Sequence, residues 1–240
     1  MNVSEFRNKE LAFLGKDLFP YRGYQITNSE NYQTLKKLLR IENEKYNSYV
    51  TIAKYSEMPR FPLNPKEHWP QFKEWIKTRD ETITSIDFIL DFDAEPTIKG
   101  LTKAWEDVKT AFYMLFKILG EQTKYLTIWF SGNKGFHILG KTKITTTAQE
   151  NINIQLEIAK QLQPLCPTLD TSIYSVDRLR KLLGSHVYSV NFGKTRVIPI
   201  VNDTEFEELI NVLNTEKQEK YFEDKILIRT NNINITVIKQ

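Results

Sequence analysis

Ile83-Thr84-Ser85-Ile86-Asp87-Phe88-Ile89-Leu90-Asp91-Phe92-Asp93 is the most strand-like segment of this 240-residue chain. Its β-branched and aromatic content predicts a strand. Strand side chains alternate between faces, so Ile86, Phe88, Leu90 and Phe92 share one face and Asp87, Ile89, Asp91 and Asp93 the other. One face is core and the other carries carboxylates. Asp91 and Asp93 stand two positions apart, about 6.7 Å at ~3.35 Å per residue, and at an effective dielectric of ~20 their charges repel by about 2.5 kcal/mol. A cation removes that repulsion, and hard divalent ions such as Mg²⁺ or Mn²⁺ take carboxylate oxygens while sharing phosphate oxygens. The plain alternative is a strand ending at a solvated edge, where acidic residues are harmless. Asp87, farther from the strand end, takes that plain reading whichever applies to the pair.

Downstream, Gly100 to Leu119 has apolar residues at helical spacing. Tyr125 to Ser131 and Phe136 to Leu139 read as short strands joined by the turn Gly132-Asn133-Lys134-Gly135. A helix is predicted over Thr147 to Leu162, a helical turn over Arg178 to Leu182, a strand over Arg196 to Val201 and a helix over Thr204 to Leu213. Two terminal strands are expected near Ile226 and Ile235. Upstream, Asn31 to Glu44 reads as an amphipathic helix and Ser48 to Tyr55 as a strand. Pro59, Pro62 and Pro65 predict an irregular segment from Glu57 to Trp69, with a helix only from Pro70 to Thr78. The alternation of elements gives an α/β (α+β) fold. With no repeat or flexible linker, residues 1–240 read as one domain: an N-terminal subdomain over 1–82, a core over 83–205 and a C-terminal extension over 206–240.

The composition is 40% hydrophobic and 26% charged, which suits an ordered globular protein rather than a disordered one. A net charge of +3 permits a nucleic-acid partner without announcing one. Cys166 is the only cysteine, and His68, His137 and His186 are scattered, so no structural zinc is expected. No long apolar run predicts export or membrane spanning, and a cytoplasmic protein is expected.

Two further stretches carry chemical potential. Ser131-Gly132-Asn133-Lys134-Gly135-Phe136-His137 gathers backbone donors, a hydroxyl, an ammonium and an imidazole around one turn, which can hold an anion or be an ordinary hairpin. It is not a Walker loop. Asp170, followed by Arg178, Lys181, Gly184, Ser185 and His186, offers another carboxylate and groups that can contact phosphate. The bland reading makes Asp170 a helix cap and the basic residues a solvated face.

In this order the three stretches resemble the signature motifs of archaeo-eukaryotic primases, over roughly residues 85 to 200. In that family a hydrophobic strand ends in two acids, here Asp91 and Asp93. A Ser-Gly-x-[Lys/Arg]-Gly-x-His turn follows, here Ser131, Gly132, Lys134, Gly135 and His137. A third acid, here Asp170, opens the last motif, which runs through arginines to a Gly-Ser element. Lysine stands at 181 where arginine is common, and the cysteine-ligated zinc module is absent, so the chain looks like the compact plasmid, viral or mobile-element primase-polymerases.

The resemblance implies a small α/β unit packed against an RNA-recognition-like sheet, and a template-directed nucleotidyltransferase using NTPs or dNTPs. It makes Asp91, Asp93 and Asp170 the ligands of two Mg²⁺ or Mn²⁺ ions. Ser131, Gly132, Lys134, Gly135, His137, Arg178, Lys181, Ser185 and His186 become nucleotide-binding residues. Expected partners are a single-stranded DNA template, a primer strand, an additional helical domain or partner subunit, and a helicase. Tyr174, Tyr188 and Phe192 could stack bases, although core positions would account for most of them. An inactive nucleic-acid or nucleotide binding module, and another metal-dependent phosphoryl-transfer enzyme such as a nuclease, are the competing readings.

Overall fold

Asp87 to Asp93 pair residue for residue with Lys141 back to Gly135, so an antiparallel ladder holds the acidic strand along one side. The computed structural model describes residues 8–14, 20–25, 47–59, 61, 65–141, 147–182 and 184–231. In chain order their elements are β1 (Glu10–Leu14), β2 (Pro20–Gln25), β3 (Asn47–Thr51), β4 (Ala53–Tyr55), α1 (Pro65–Ile76), β5 (Ile83–Asp93) and α2 (Ile98–Leu119). There follow β6 (Thr127–Phe130), β7 (Gly135–Lys141), α3 (Ala148–Leu162), β8 (Leu179–Lys181), β9 (His186–Ser189), β10 (Gly193–Arg196), β11 (Ile198–Pro199), α4 (Asp203–Val212) and α5 (Gln218–Asn231). The fold is mixed α/β with antiparallel sheets. No helix among the described residues is long and apolar enough to cross a membrane.

The chain divides into two units. The first takes Met1–Ile86, Thr142–Ile152 and Ser175–Leu182, and the second takes Asp87–Lys141, Asn153–Tyr174 and Leu183–Gln240.

In the first unit four strands run in the order β2-β1-β3-β8, and β4 pairs with the opening residues of β5. Helix α1 starts at Pro65, inside the segment the sequence predicts to be irregular. A proline in the first helical position gives up only an N–H that has no partner there anyway. Pro70 deletes one further bond, and the buried face of His68, Phe72 and Trp75 at helical spacing outweighs it. Leu179–Lys181 is a strand, not the expected helical turn. It satisfies the open edge of β3, with Ile52 N–H donating to the Arg178 carbonyl and Leu182 N–H to the Ser48 carbonyl. Arg79 is buried with its guanidinium 3.7 Å from Glu10 and 3.4 Å from Asp177. The predicted helix Asn31 to Glu44 and the strand near Ile235 lie outside the described residues.

In the second unit the antiparallel order β11-β6-β7-β5 forms the sheet. Phe88, Leu90 and Phe92 enter its core with Leu101, Trp105 and Val108 of α2, Phe206 of α4 and Phe222 of α5. The Trp105 ring stacks on Phe206 at 5.1 Å, while its indole N–H donates to Asp203 Oδ1 at 2.6 Å. Thr97 caps α2 by accepting the Gly100 N–H.

The other edge of β5 is finished piecemeal. Gln155 of α3 accepts the Ile89 N–H through Oε1 and donates to the Asp87 carbonyl through Nε2. Tyr174 O–H donates to the Ile89 carbonyl, and residues 168 to 170 complete the strand's end. The expected strand Arg196 to Val201 is split, because the chain leaves β9 at Arg196 and joins β6 at Ile198. The strand expected near Ile226 is instead the helix α5. Gln218, Phe222 and Ile226 recur every four residues, and burial of the first two favours the helical spacing.

Candidate active site

The register of β5 against β7 sets Asp91 opposite His137 and Asp93 opposite Gly135. On the other side of β5 a short extended segment joins it. Asp93 N–H donates to the Thr168 carbonyl at 2.8 Å, and Asp170 N–H donates to the Asp91 carbonyl at 2.8 Å. Those two backbone bonds bring in a carboxylate remote in sequence. Asp91, Asp93 and Asp170 each present an oxygen, and the three oxygens lie within 4.8 Å of one another.

Asp91 is only 6% exposed, so the solvated-edge reading of the Asp-x-Asp pair does not hold. Burial, reinforced by the neighbouring Asp91 charge, pushes the Asp93 carboxyl above the usual carboxylate range, against the pull of Lys134 and His137. Lys134 Nζ lies 2.6 Å from Asp93 Oδ2. That hydrogen bond, helped by the charges of Asp93, Asp91 and Asp170 and opposed by burial, holds the ammonium above its usual value. His137 Nε2 lies 3.2 Å from Asp91 Oδ1. Its Nδ1 is buried with no hydrogen-bond partner among the described residues. Asp170 Oδ1 accepts the Ser172 N–H at 2.8 Å, so the cap and the acidic cluster share one side chain.

Both glycines of the turn have a steric reason. Gly132 has φ of 82°, and a methyl group there would meet the Val187 side chain at 2.6 Å. A methyl group on Gly135 would fall 1.6 Å from the Phe92 carbonyl oxygen, so only glycine lets β7 start this close to the acidic strand. Ser131, buried, closes the turn by donating its N–H to the Gly135 carbonyl at 2.9 Å. Thr195 O–H donates to the Gly132 carbonyl. Val187 and Thr195 thus seat the β9 and β10 hairpin on the turn. Ser185 lies at the start of that hairpin, with its hydroxyl buried and without a hydrogen-bond partner among the described residues. His186 pairs through its backbone with Arg196.

Arg178 and Lys181 belong to the first unit. Phe192 is core, and the Tyr174 hydroxyl is occupied with the Ile89 carbonyl. Asp107, Gln155, Thr168 and Thr195 support the site and escaped the sequence reading. Asp107 did leave a signal, a carboxylate three residues after Ala104 and four before Ala111 on the apolar face of α2.

The donor set suits a hard divalent cation. Three carboxylates crowded within 4.8 Å repel one another, by about 3.5 kcal/mol or more per pair at an effective dielectric of ~20, and a dication, which takes carboxylate oxygens as ligands, offsets that cost. Three acids with a lysine and a buried histidine beside them make an arrangement able to hold a metal ion and an anionic group together.

No family model matches the chain, and no curated protein does. Solved structures similar to it include the polymerase domain of Mycobacterium tuberculosis ligase D in complex with DNA, 12% identical, with 77% of this chain and 71% of that one covered and a TM-score of 0.49. The AEP domain of the cyanophage S-2L primase-polymerase is 11% identical over 80% of this chain and 81% of that one, with a TM-score of 0.42. The primase RepB' is 11% identical over 94% of this chain and 63% of that one, with a TM-score of 0.44. By their names these are polymerase and primase domains.

Proposed function

We propose that the chain is a template-directed nucleotidyltransferase of the primase-polymerase type, adding nucleotides from NTPs or dNTPs to a nucleic-acid strand. The observation that carries this reading is the meeting of Asp91, Asp93 and Asp170 within 4.8 Å, with Lys134 and His137 on the same carboxylates. The three acids would hold two divalent ions. Bound there, Mg²⁺ or Mn²⁺ supplies a more acidic 3′-hydroxyl and positive charge on the triphosphate.

The remaining work falls to the chain's own groups. Lys134 is 46% exposed on its side chain and can exchange Asp93 for a phosphate oxygen without desolvating a second carboxylate. As a cation held above its usual pKa, it stays charged throughout the neutral range. His137 stands with Nε2 3.2 Å from Asp91 Oδ1, and from that nitrogen it could donate to a phosphate oxygen bound at the acids. Ser131 and Ser185 add hydroxyls from the two segments that Thr195 and Val187 bring together. The turn's cationic and hydrogen-bonding groups favour a triphosphate over the bare phosphodiester of a nuclease. The template and primer would be single-stranded DNA, bound more weakly as salt rises.

The test is incubation of the purified chain with a single-stranded template, labelled nucleotides and Mn²⁺ or Mg²⁺, with and without a primer. The Asp91→Ala/Asp93→Ala variant runs in parallel, and its products are expected to disappear. Persistence of products in the variant would sink the assignment. Nucleotide binding with no synthesis in the unaltered protein would instead favour an inactive binding module.

A further inference from the structure

We infer that Asp107 is a positioning residue for the carboxylate triad: from the buried face of α2 it clamps Thr168 and so sets where Asp170 stands against Asp91 and Asp93. This rests on the reading of the triad as a metal centre.

Asp107 is 8% exposed, among the apolar residues by which α2 packs on the sheet. Its Oδ2 accepts two hydrogen bonds from a single residue, the backbone N–H and the hydroxyl of Thr168, each at 2.7 Å. Both have the length of charge-assisted bonds and define direction as well as distance. Thr168 is held from its other side by β5, since its carbonyl accepts the Asp93 N–H. Two residues on, the Asp170 N–H reaches the Asp91 carbonyl. A second tie backs the first, because Cys166 Sγ donates to the Asp107 carbonyl at 3.4 Å and Leu169 N–H donates to the Cys166 carbonyl at 2.9 Å.

The choice of residue supports a role beyond filling space. A buried carboxylate carries a desolvation cost that a neutral acceptor avoids, and an asparagine could accept the same two bonds. What the carboxylate adds is stiffness where stiffness matters. The segment 166 to 170 has no regular strand beyond one bridge, Phe92 with Leu169. A metal ligand on such a segment drifts unless an outer partner fixes it. Among the described residues the Asp107 carboxylate hydrogen-bonds to Thr168 alone, so the side chain acts through Thr168.

The test is Mn²⁺ binding to the full chain without nucleotide, followed by loss of the free-ion electron paramagnetic resonance signal, with thermal unfolding measured on the same samples. Asp107→Ala is expected to weaken Mn²⁺ by about 10-fold or more, and Asp107→Asn to recover most of the loss because its amide oxygen still accepts. Thr168→Val, which removes only the hydroxyl bond, should fall between them. A folded Asp107→Ala protein with unaltered Mn²⁺ affinity overturns the inference. Should Asp107→Ala fail to fold, Thr168→Val decides: weaker Mn²⁺ at unchanged melting temperature supports the clamp, and unchanged affinity overturns it. Asp170→Asn is the reference. If it binds Mn²⁺ as the unaltered chain does, the triad reading falls and the clamp with it, whereas weakened Asp170→Asn beside normal Asp107→Ala removes the clamp alone.

Discussion

At the scale of single residues, Asp93 shows what the acidic cluster costs the fold. Its carboxyl is held above the ordinary range by burial and by Asp91. A folded-state pKa above the unfolded one means that the ionised side chain destabilises the metal-free protein at neutral pH. The cost fades as pH falls through the raised value towards the ordinary one. Asp93→Asn is therefore expected to melt higher than the unaltered chain at pH 7 in chelator, by about 2–4 °C per kcal/mol relieved. The advantage should shrink on acidification and reverse in Mn²⁺. A lower melting temperature in chelator at pH 7 would contradict this account. Asp91 and Asp93 were legible because alternation alone sets them on one face of a strand. Asp170 was legible only through the order of three motifs, since nothing local distinguishes a member of an acidic cluster from a cap, and here it is both. The glycines of the turn were noticed as anion-cradling. Their steric necessity depends on where Phe92 and Val187 lie, which no local pattern encodes.

At the scale of elements, β5 was the clearest reading in the sequence, and its outer edge was invisible. Gln155 offers both halves of a primary amide to that edge and stands in for one residue of a partner strand. Gln155→Leu keeps the volume and strands the Ile89 N–H and the Asp87 carbonyl in the interior, at about 1–3 kcal/mol for each. The melting temperature is expected to fall by roughly 5 °C or more. A drop below about 1 °C would mean that the edge has another means of satisfaction. The misread elements share one cause, in that long-range partners overrode local signals. Prolines argued against α1 until the burial of His68, Phe72 and Trp75 prevailed, and the basic run at β8 looked helical until the β3 edge claimed it. A strand was expected near Ile226 in α5, but Phe222 stacks on Phe130 and Gln218 donates to the Phe192 and Lys194 carbonyls, which fixes a helix.

At the scale of the whole molecule, the backbone passes from one unit to the other at 86/87, 141/142, 152/153, 174/175 and 182/183. Neither unit is a continuous stretch of chain. A fragment of residues 1–86 lacks the strand that completes β3 and the Asp177 partner of Arg79. It is expected to show no cooperative thermal transition, while the same fragment carrying residues 175–182 through a flexible linker should regain one. Cooperative melting of the short fragment would show that β8 is dispensable. The interleaving also bears on inheritance. No contiguous block of the gene holds one unit whole without part of the other, since residues 1–182 carry the first unit and residues 87–240 the second, each with segments of its neighbour. Such a protein can diversify by substitution within its units or by additions at its ends, but it cannot trade one of them as a cassette.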